Sequence, residues 1–362
     1  MKLKNLLIAL LSLAAFSSCD MMKEDVDDSN CGLFITFKYD YNLQRADMFK
    51  DHVGGVTLYV FDSDGRFVRT YEENNNPATG HLPLNSYSYR MHITDLPDGQ
   101  YQFIALAHQK SYESALATPG AKYRRTQLHA GDPMTQLRVE LDREASRAAA
   151  MTDANPMVSN VAPLDTLWHG MSRQLVSVKN TGMTVDTISL MRDTKMLTIS
   201  LHNLDADKRA DIRTEEFDYF IVDNNGRLDY DNSLLADDDL VYTPFHKWDT
   251  FTEDAGGTVT EATAHAGLTF NRLIWYEEAD RNALLIIRNR TTGTEVAAIN
   301  LTDALAQGRN AYDQYAYSRQ EYLDRSYDYY LDFFIRNGVW QYADVRINVL
   351  SWAKRIQNVD LH

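Results

Sequence analysis

One arrangement of residues occurs twice in this chain. Leu33-Phe34-Ile35-Thr36-Phe37 is followed by Val56-Thr57-Leu58-Tyr59-Val60-Phe61 and then by Asp62-Ser63-Asp64-Gly65-Arg66. About 161 residues later, Leu197-Thr198-Ile199-Ser200-Leu201 is followed by Phe217-Asp218-Tyr219-Phe220-Ile221-Val222 and Asp223-Asn224-Asn225-Gly226-Arg227. Apolar and polar residues alternate with the period of a half-buried strand, and Asp-x-Asx-Gly supplies the positive φ values of a tight hairpin turn. A pattern repeated at a fixed offset implies a duplicated unit. The 362 residues suit about two domains. Each half is therefore predicted to be a β domain, the first over 31–187 and the second over 188–362.

Further strands are expected at Arg66 to Tyr71, Tyr89 to Ile93, Tyr101 to Ala107, Leu137 to Leu141 and Leu175 to Val178 in the first half. In the second they are expected at Leu268 to Tyr276, Ala283 to Asn289, Glu295 to Leu301, Tyr327 to Phe334 and Val345 to Trp352. Many short strands at hairpin spacing describe an all-β fold of two tandem antiparallel β-sandwich domains. Residues Arg143 to Val161 read as a short helix plus loop or an excursion, and Thr302 to Gly308 as one or two helical turns.

The N-terminus is an address. Lys2 and Lys4 precede the apolar stretch Leu6 to Phe16, which ends in Ser17-Ser18-Cys19, so residues 1–18 read as a signal peptide cleaved after Ser18. Eleven positions fall short of the ~20 needed to span a bilayer. Ser17-Ser18-Cys19 resembles a bacterial lipobox, with Phe16 in place of the more usual leucine; the resemblance makes Cys19 the lipid attachment residue. A plain secretory peptide with a stray cysteine is the alternative. Residues 19–30, with Lys23-Glu24-Asp25 and Asp27-Asp28, form an acidic linker too poor in apolar groups to fold. This stretch also resembles the export tag of surface lipoproteins of the Bacteroidota, which implies a lipid-anchored location on the outer face of the outer membrane.

A formal charge of −15 disfavours nucleic acid as a partner, because phosphate binding needs a basic footprint. The ten histidines show no His-Glu-x-x-His or other metal spacing, and no nucleophile elbow, phosphate loop or dinucleotide fingerprint is present. No metal, cofactor or catalytic residue is expected, and the chain is not read as an enzyme. His108 and His169 are read as strand-end or loop residues. Asp62-x-Asp64-Gly65 and Asp223-x-Asn225-Gly226 begin like calcium loops but lack the closing glutamate. The Asp229 to Asp239 stretch reads as a solvated acidic loop. The tyrosines between Tyr312 and Tyr330 read as strand packing, with a glycan platform as the alternative. Cys31 is the only thiol left once Cys19 is acylated, so no intramolecular disulfide is expected.

The run Cys31 to Asn42, Ala46-Asp47-Met48-Phe49, Val56 to Gly65 and Leu96-Pro97-Asp98-Gly99-Gln100-Tyr101-Gln102-Phe103 resembles the FimB-type (Mfa-type) fimbrial subunits of the Bacteroidales. Trp168-His169-Gly170, Ile188 to Thr194, Phe270-Asn271-Arg272-Leu273, Glu321 to Arg325 and Ile347-Asn348 extend the resemblance over the mature chain. It implies transthyretin-like sandwiches and an anchor or accessory subunit that joins a fimbria to the outer membrane. Its partners would be fimbrial structural subunits, met by β-strand exchange, and the membrane, met through the N-terminal lipid. Gly54 and Gly55 stand where family members often carry a second cysteine. Stalk subunits are matured by an arginine- or lysine-specific protease, whereas an anchor must keep its lipidated end, so no cleavage at Arg45 is expected. The region Val345 to Leu361 is the expected contact with the next subunit. The alternatives are a glycan-binding surface lipoprotein of a nutrient-uptake system, using faces such as Trp275-Tyr276 or Trp340, and a fimbrial tip adhesin.

Overall fold

The computed structural model describes residues 31–143, 156–179, 181–347 and 355–358. Cys19, the cleavage position after Ser18, the linker 19–30 and residues 144–155 of the alanine-rich stretch lie outside the described residues. The first half, together with strands that close on it just past residue 187, supplies β1 (Gly32–Lys38), β2 (Gly55–Asp62), β3 (Phe67–Asn74), β4 (Met91–Ile93), β5 (Gly99–His108), β6 (Tyr123–Arg125), β7 (Val139–Leu141), β8 (Met157–Val158), β9 (Leu167–Met171), β10 (Val176–Val178), β11 (Met183–Ser189) and β12 (Met191–Arg192). The second supplies β13 (Lys195–Asn203), β14 (Phe217–Asp223), β15 (Arg227–Leu228), β16 (Leu240–Tyr242), β17 (His246–Glu253), β18 (Val259–Phe270), β19 (Leu284–Asn289), β20 (Glu295–Asn300), β21 (Asp328–Arg336), β22 (Val339–Ile347) and β23 (Arg355–Asn358). The all-β sandwich architecture expected from the alternation is what forms.

The sheets run β11-β1-β4 and β12-β9-β5-β2-β3, with β10 also on β5, in the first half. The second has β17-β18-β13-β21-β22-β23 and β20-β19-β14-β16-β8, and β15-β7-β6 forms a small fifth sheet. The repeat extends to neighbours. β1 lies between antiparallel β4 and parallel β11, and β13 between antiparallel β18 and parallel β21. β2 lies between β3 and β5, as β14 lies between β16 and β19. Both sandwiches thus depart from a purely antiparallel plan where the returning chain runs alongside the first strand, the rest of the half serving as the long crossover that parallel pairing requires, and β8 of the first half adds a further parallel pair on β16.

Side-chain alternation places Leu33, Ile35 and Phe37 of β1 against Val56, Leu58 and Val60 of β2, with Phe103, Ala105 and Trp168 completing the first core. The opposite face of the same middle sheet carries Tyr59, Phe61, Ile104 and Leu106, which belong to a second cluster shared with Leu197, Ile199, Ile221, Leu285 and Phe333 of the second half. A sheet covered on both faces carries a near-continuous apolar run, as Val56 to Phe61 does apart from the buried Thr57. Strands also cross between halves, since β15 pairs with β7 and β8 pairs with β16.

The first hairpin forms as expected: Asp62 Oδ1 accepts from the Asp64 and Arg66 amides at 2.9 and 2.8 Å, and Gly65 takes φ +71°. The second does not. Gly226 adopts no positive φ; a Cβ there would lie 2.4 Å from Leu240 Cδ1 and 2.6 Å from Asp237 Oδ2. Buried Asn225 donates to the carbonyls of Asn271 and Arg272 at 3.1 and 3.0 Å and accepts from the Tyr242 hydroxyl at 2.5 Å. These bonds draw the chain inward, Arg227 and Leu228 join β7, and β16 takes the place beside β14.

Other boundaries shift for local reasons. β18 ends at Phe270 because Asn271 turns into the same buried amide network. β22 starts at Val339, directly after Asn337 and Gly338, whose φ values of 54° and 79° fit a type I′ turn; residues 348–352 of the strand expected there lie outside the described residues. His169 and Gly170 are interior to β9 rather than in a loop. Thr302 to Gly308 largely forms the helix Leu301–Gln307, and two further helices, Ala311–Ala316 and Arg319–Arg325, follow it.

Candidate functional site

Two features bear on attachment and assembly: the point where the linker reaches the fold, and the sheet edges left open. At the first, the Cys31 carbonyl is 2.8 Å from His92 Nε2, which therefore donates, and the Gly32 amide donates to the Gly182 carbonyl at 3.0 Å. Gly32 has φ +110°, and a Cβ there would meet the Ile93 carbonyl oxygen at 2.6 Å, so glycine is needed to bring the chain between β4 and β11. Cys31 itself is a half-buried free thiol. A cysteine in place of Gly54 or Gly55 would not fit, because their Cβ atoms would lie 2.0 Å from the Gln109 carbonyl oxygen and 2.5 Å from Asn74 Oδ1.

Among the described residues the outer side of β11 pairs with no strand. Its register with β1 puts Met183 and Val185 on the solvent face beside Phe34, and they are 60% and 48% exposed. Thr184 and Asp186 point to the other face, in the rows of Leu33 and Ile35. Asp186 Oδ2 is buried without a hydrogen-bond partner among the described residues, and burial raises its carboxyl above the usual range. The edge therefore combines unpaired backbone with exposed apolar side chains, the features that invite an added strand. Of the expected contact Val345 to Leu361, residues 345–347 pair with β21 and β23, and 355–358 are β23 at the sheet's edge; 348–354 and 359–361 lie outside the described residues.

A buried polar network lies inside the second half, around the start of β13. Arg272 Nε and Nη2 donate to Asp324 Oδ1 and Oδ2 at 2.7 and 2.9 Å, and Lys195 Nζ donates to the Asp324 and Ser326 carbonyls at 3.0 and 2.8 Å. Burial lowers the Lys195 ammonium and raises Asp193, whose Oδ1 accepts from Asn232 at 2.8 Å. Arg192, at the end of β12, stacks over Tyr327 at 4.1 Å.

Most side chains considered for chemistry are engaged or enclosed. His169 donates from Nε2 to the Tyr230 carbonyl at 2.8 Å, and burial lowers it to about 4. His108 is enclosed, with Nδ1 3.3 Å from Asp165 Oδ2, and burial pulls it down. Asp237 of the acidic stretch accepts two bonds from Arg143 at 2.8 Å. Tyr322 and Tyr329 are core residues, while Tyr312 and Tyr317 hold Arg45. Arg319 covers one face of Trp275 and Arg281 one face of Tyr276, and Trp340 packs edge-on against Phe333. No group of three metal-ligating side chains occurs among the described residues, and no helix there is long and apolar enough to cross a membrane.

A solved structure from Bacteroides thetaiotaomicron, described as a candidate polysaccharide-binding protein, is 30% identical with a TM-score of 0.68, covering 91% of this chain and 98% of that one. A candidate adhesin from the same species is 25% identical with a TM-score of 0.70 and the same coverage. The fimbrial anchor protein Mfa2 of Porphyromonas gingivalis shares the fold at 16% identity and a TM-score of 0.58, over 87% of this chain and 96% of that one. Comparison with curated proteins finds no match. Residues 26–358 match the family described as fimbrillin-A associated anchor proteins Mfa1 and Mfa2. This protein belongs to that family of fimbrial anchor proteins.

Proposed function

We propose that the protein is the membrane-side subunit of a fimbria, held at the outer face of the outer membrane by a lipid on Cys19 after cleavage behind Ser18. Family membership supports an anchor or accessory role among fimbrial subunits, and such a role requires no catalytic residue. In this proposal residues 31–187 and 188–362 are two domains acting as one body, and a strand from a neighbouring structural subunit adds to the outer side of β11. The observation that carries the contact is the unpaired β11 edge, with Met183 and Val185 exposed beside it. Main-chain hydrogen bonds would supply affinity and alternate side chains specificity.

Two substitutions test the two parts separately. Cys19→Ala is expected to leave the body folded and release it, with its fibres, into the medium; retention on cells would refute the lipid attachment. Val185→Lys places a charge on the edge without touching the core and is expected to abolish co-purification of the structural subunit. Unchanged co-purification would refute the β11 contact while leaving the anchor untouched.

A further inference from the structure

A cavity of about 440 Å³ lies at one end of the middle sheet, where β2 begins and β3 and β5 end. It is independent of the β11 edge and of the N-terminal lipid. Its walls come from the helix Phe49–His52, from Asn75 and Asn85 after β3, and from Gln109 and Lys110 after β5. Gly54 lets the last of these segments close on β2, since any side chain there would strike the Gln109 carbonyl.

The polar groups of its wall that no other side chain engages define what could fill it. Asn75 donates to Asn85 Oδ1 at 2.7 Å and accepts from the Leu84 amide at 3.0 Å, which consumes much of its capacity and orients Asn85. Lys50 is committed to Asp51 at 2.7 Å and to the ring of Tyr87 at 4.4 Å. The Asn85 amino group, the Gln109 carboxamide and the Lys110 ammonium make no side-chain hydrogen bond or ion pair within the described residues and face solvent, so they are free to meet a ligand. The imidazole of His52 is held below its usual range by burial and is neutral at pH 7. With Lys50 and Asp51 cancelling, Lys110 leaves the cavity with one uncompensated positive charge, in a chain whose formal charge is −15.

Carboxamides donate and accept at once, which matches vicinal hydroxyls. The cavity is in the size range of small-molecule sites and is too roomy for a simple anion. Tyr87, 80% exposed and in contact with Lys50 of the wall, offers the ring face that this ammonium does not cover. We propose that this cavity binds an anionic sugar, a hexuronate unit of a polysaccharide, with its carboxylate on Lys110 and its hydroxyls on Gln109 and Asn85.

Isothermal titration of the folded chain with digalacturonic acid and with its neutral counterpart galactobiose tests this. The acid is expected to bind saturably and about tenfold more tightly than the neutral sugar, a preference that Lys110→Ala removes. Gln109→Ala is expected to weaken both sugars, and thermal melts of both variants should match the parent, which separates lost binding from lost folding. The proposal is overturned if neither sugar binds, if both bind equally and independently of Lys110, or if inorganic phosphate displaces the acid at equal concentration. Binding that survives blocking the cavity with Asn85→Trp also overturns it.

Discussion

Removing the carboxylate of Asp324 tests how much one buried ion pair of the second half contributes to the stability of the folded chain. Asp324 receives both prongs of the Arg272 guanidinium and a third bond from Gln320 at 3.0 Å, with the side chains of the pair only 14% and 7% exposed. Asp324→Ala leaves the guanidinium buried and unpaired, next to the buried Lys195 ammonium, with Asp193 as the remaining carboxylate there. Breaking one partner of a buried pair costs about 3–5 kcal/mol. Unfolding entropy near 2.1 cal/mol/K per residue gives roughly 0.7 kcal/mol/K for the folded part of this chain, so the melting temperature should fall by about 4–7 °C. Calorimetry at pH 7 reads this directly, and the parent protein should melt in a single transition because the second core is built from both halves. Replacing both partners, Arg272→Met with Asp324→Leu, should recover most of the loss, since neither charge is then buried. A fall of less than about 1 °C in Asp324→Ala, or a parent that melts in two separated steps, would refute the reasoning.

Other expectations follow from single sites. Burial pushes Asp223 up to about 7 from 3.8, so the folded chain keeps a proton that the unfolded chain releases, and this group's contribution to stability is lost as pH rises from about 4 through 7. Asp223→Asn should flatten that slope and stabilise the protein by a few kcal/mol, roughly, at pH 8, as read from urea melts at pH 5 and 8; parallel slopes would count against it. Arg45 has its guanidinium bonded to the hydroxyls of Tyr312 and Tyr317 and stacked over both rings. Tyr312→Ala with Tyr317→Ala should speed trypsin cleavage after Arg45 about fivefold or more, whereas equal rates would show that the stack gives no protection. Gly54→Cys should lower the melting temperature by several degrees through the clash with the Gln109 carbonyl, and a neutral result would mean that the loop moves freely.

What the sequence made legible was local. Alternation placed β1, β2, β5, β14 and β19 to within a few residues, because each packs one or both faces on a core. The partner of a strand is not a local property, so the parallel pairs β1–β11 and β13–β21 were not visible. The failed second hairpin has the same origin: Asp223-Asn224-Asn225-Gly226 carries turn chemistry, yet tertiary bonds to Asn271, Arg272 and Tyr242 redirect it. β17 was missed because much of His246–Glu253 is exposed, which leaves weak apolar alternation. The helix Arg319–Arg325 did have a signal, Ser318 followed three residues on by Glu321, and Ser318 does accept from the Glu321 amide at 3.1 Å. Of the features bearing on function, Cys19 rests on the sequence alone, while the β11 edge and the Lys110 cavity depend on which strands end together.

The placement of β1 decides how the protein meets a pull. Seven register pairs on the β11 side and three on the β4 side grip this strand. Tension arriving at residue 31 along the strand axis loads these ladders in shear, so rungs must yield together rather than one after another. Flow on the fibre would then be resisted by a high barrier to forced extraction, a kinetic property set by the unfolding rate rather than by equilibrium stability.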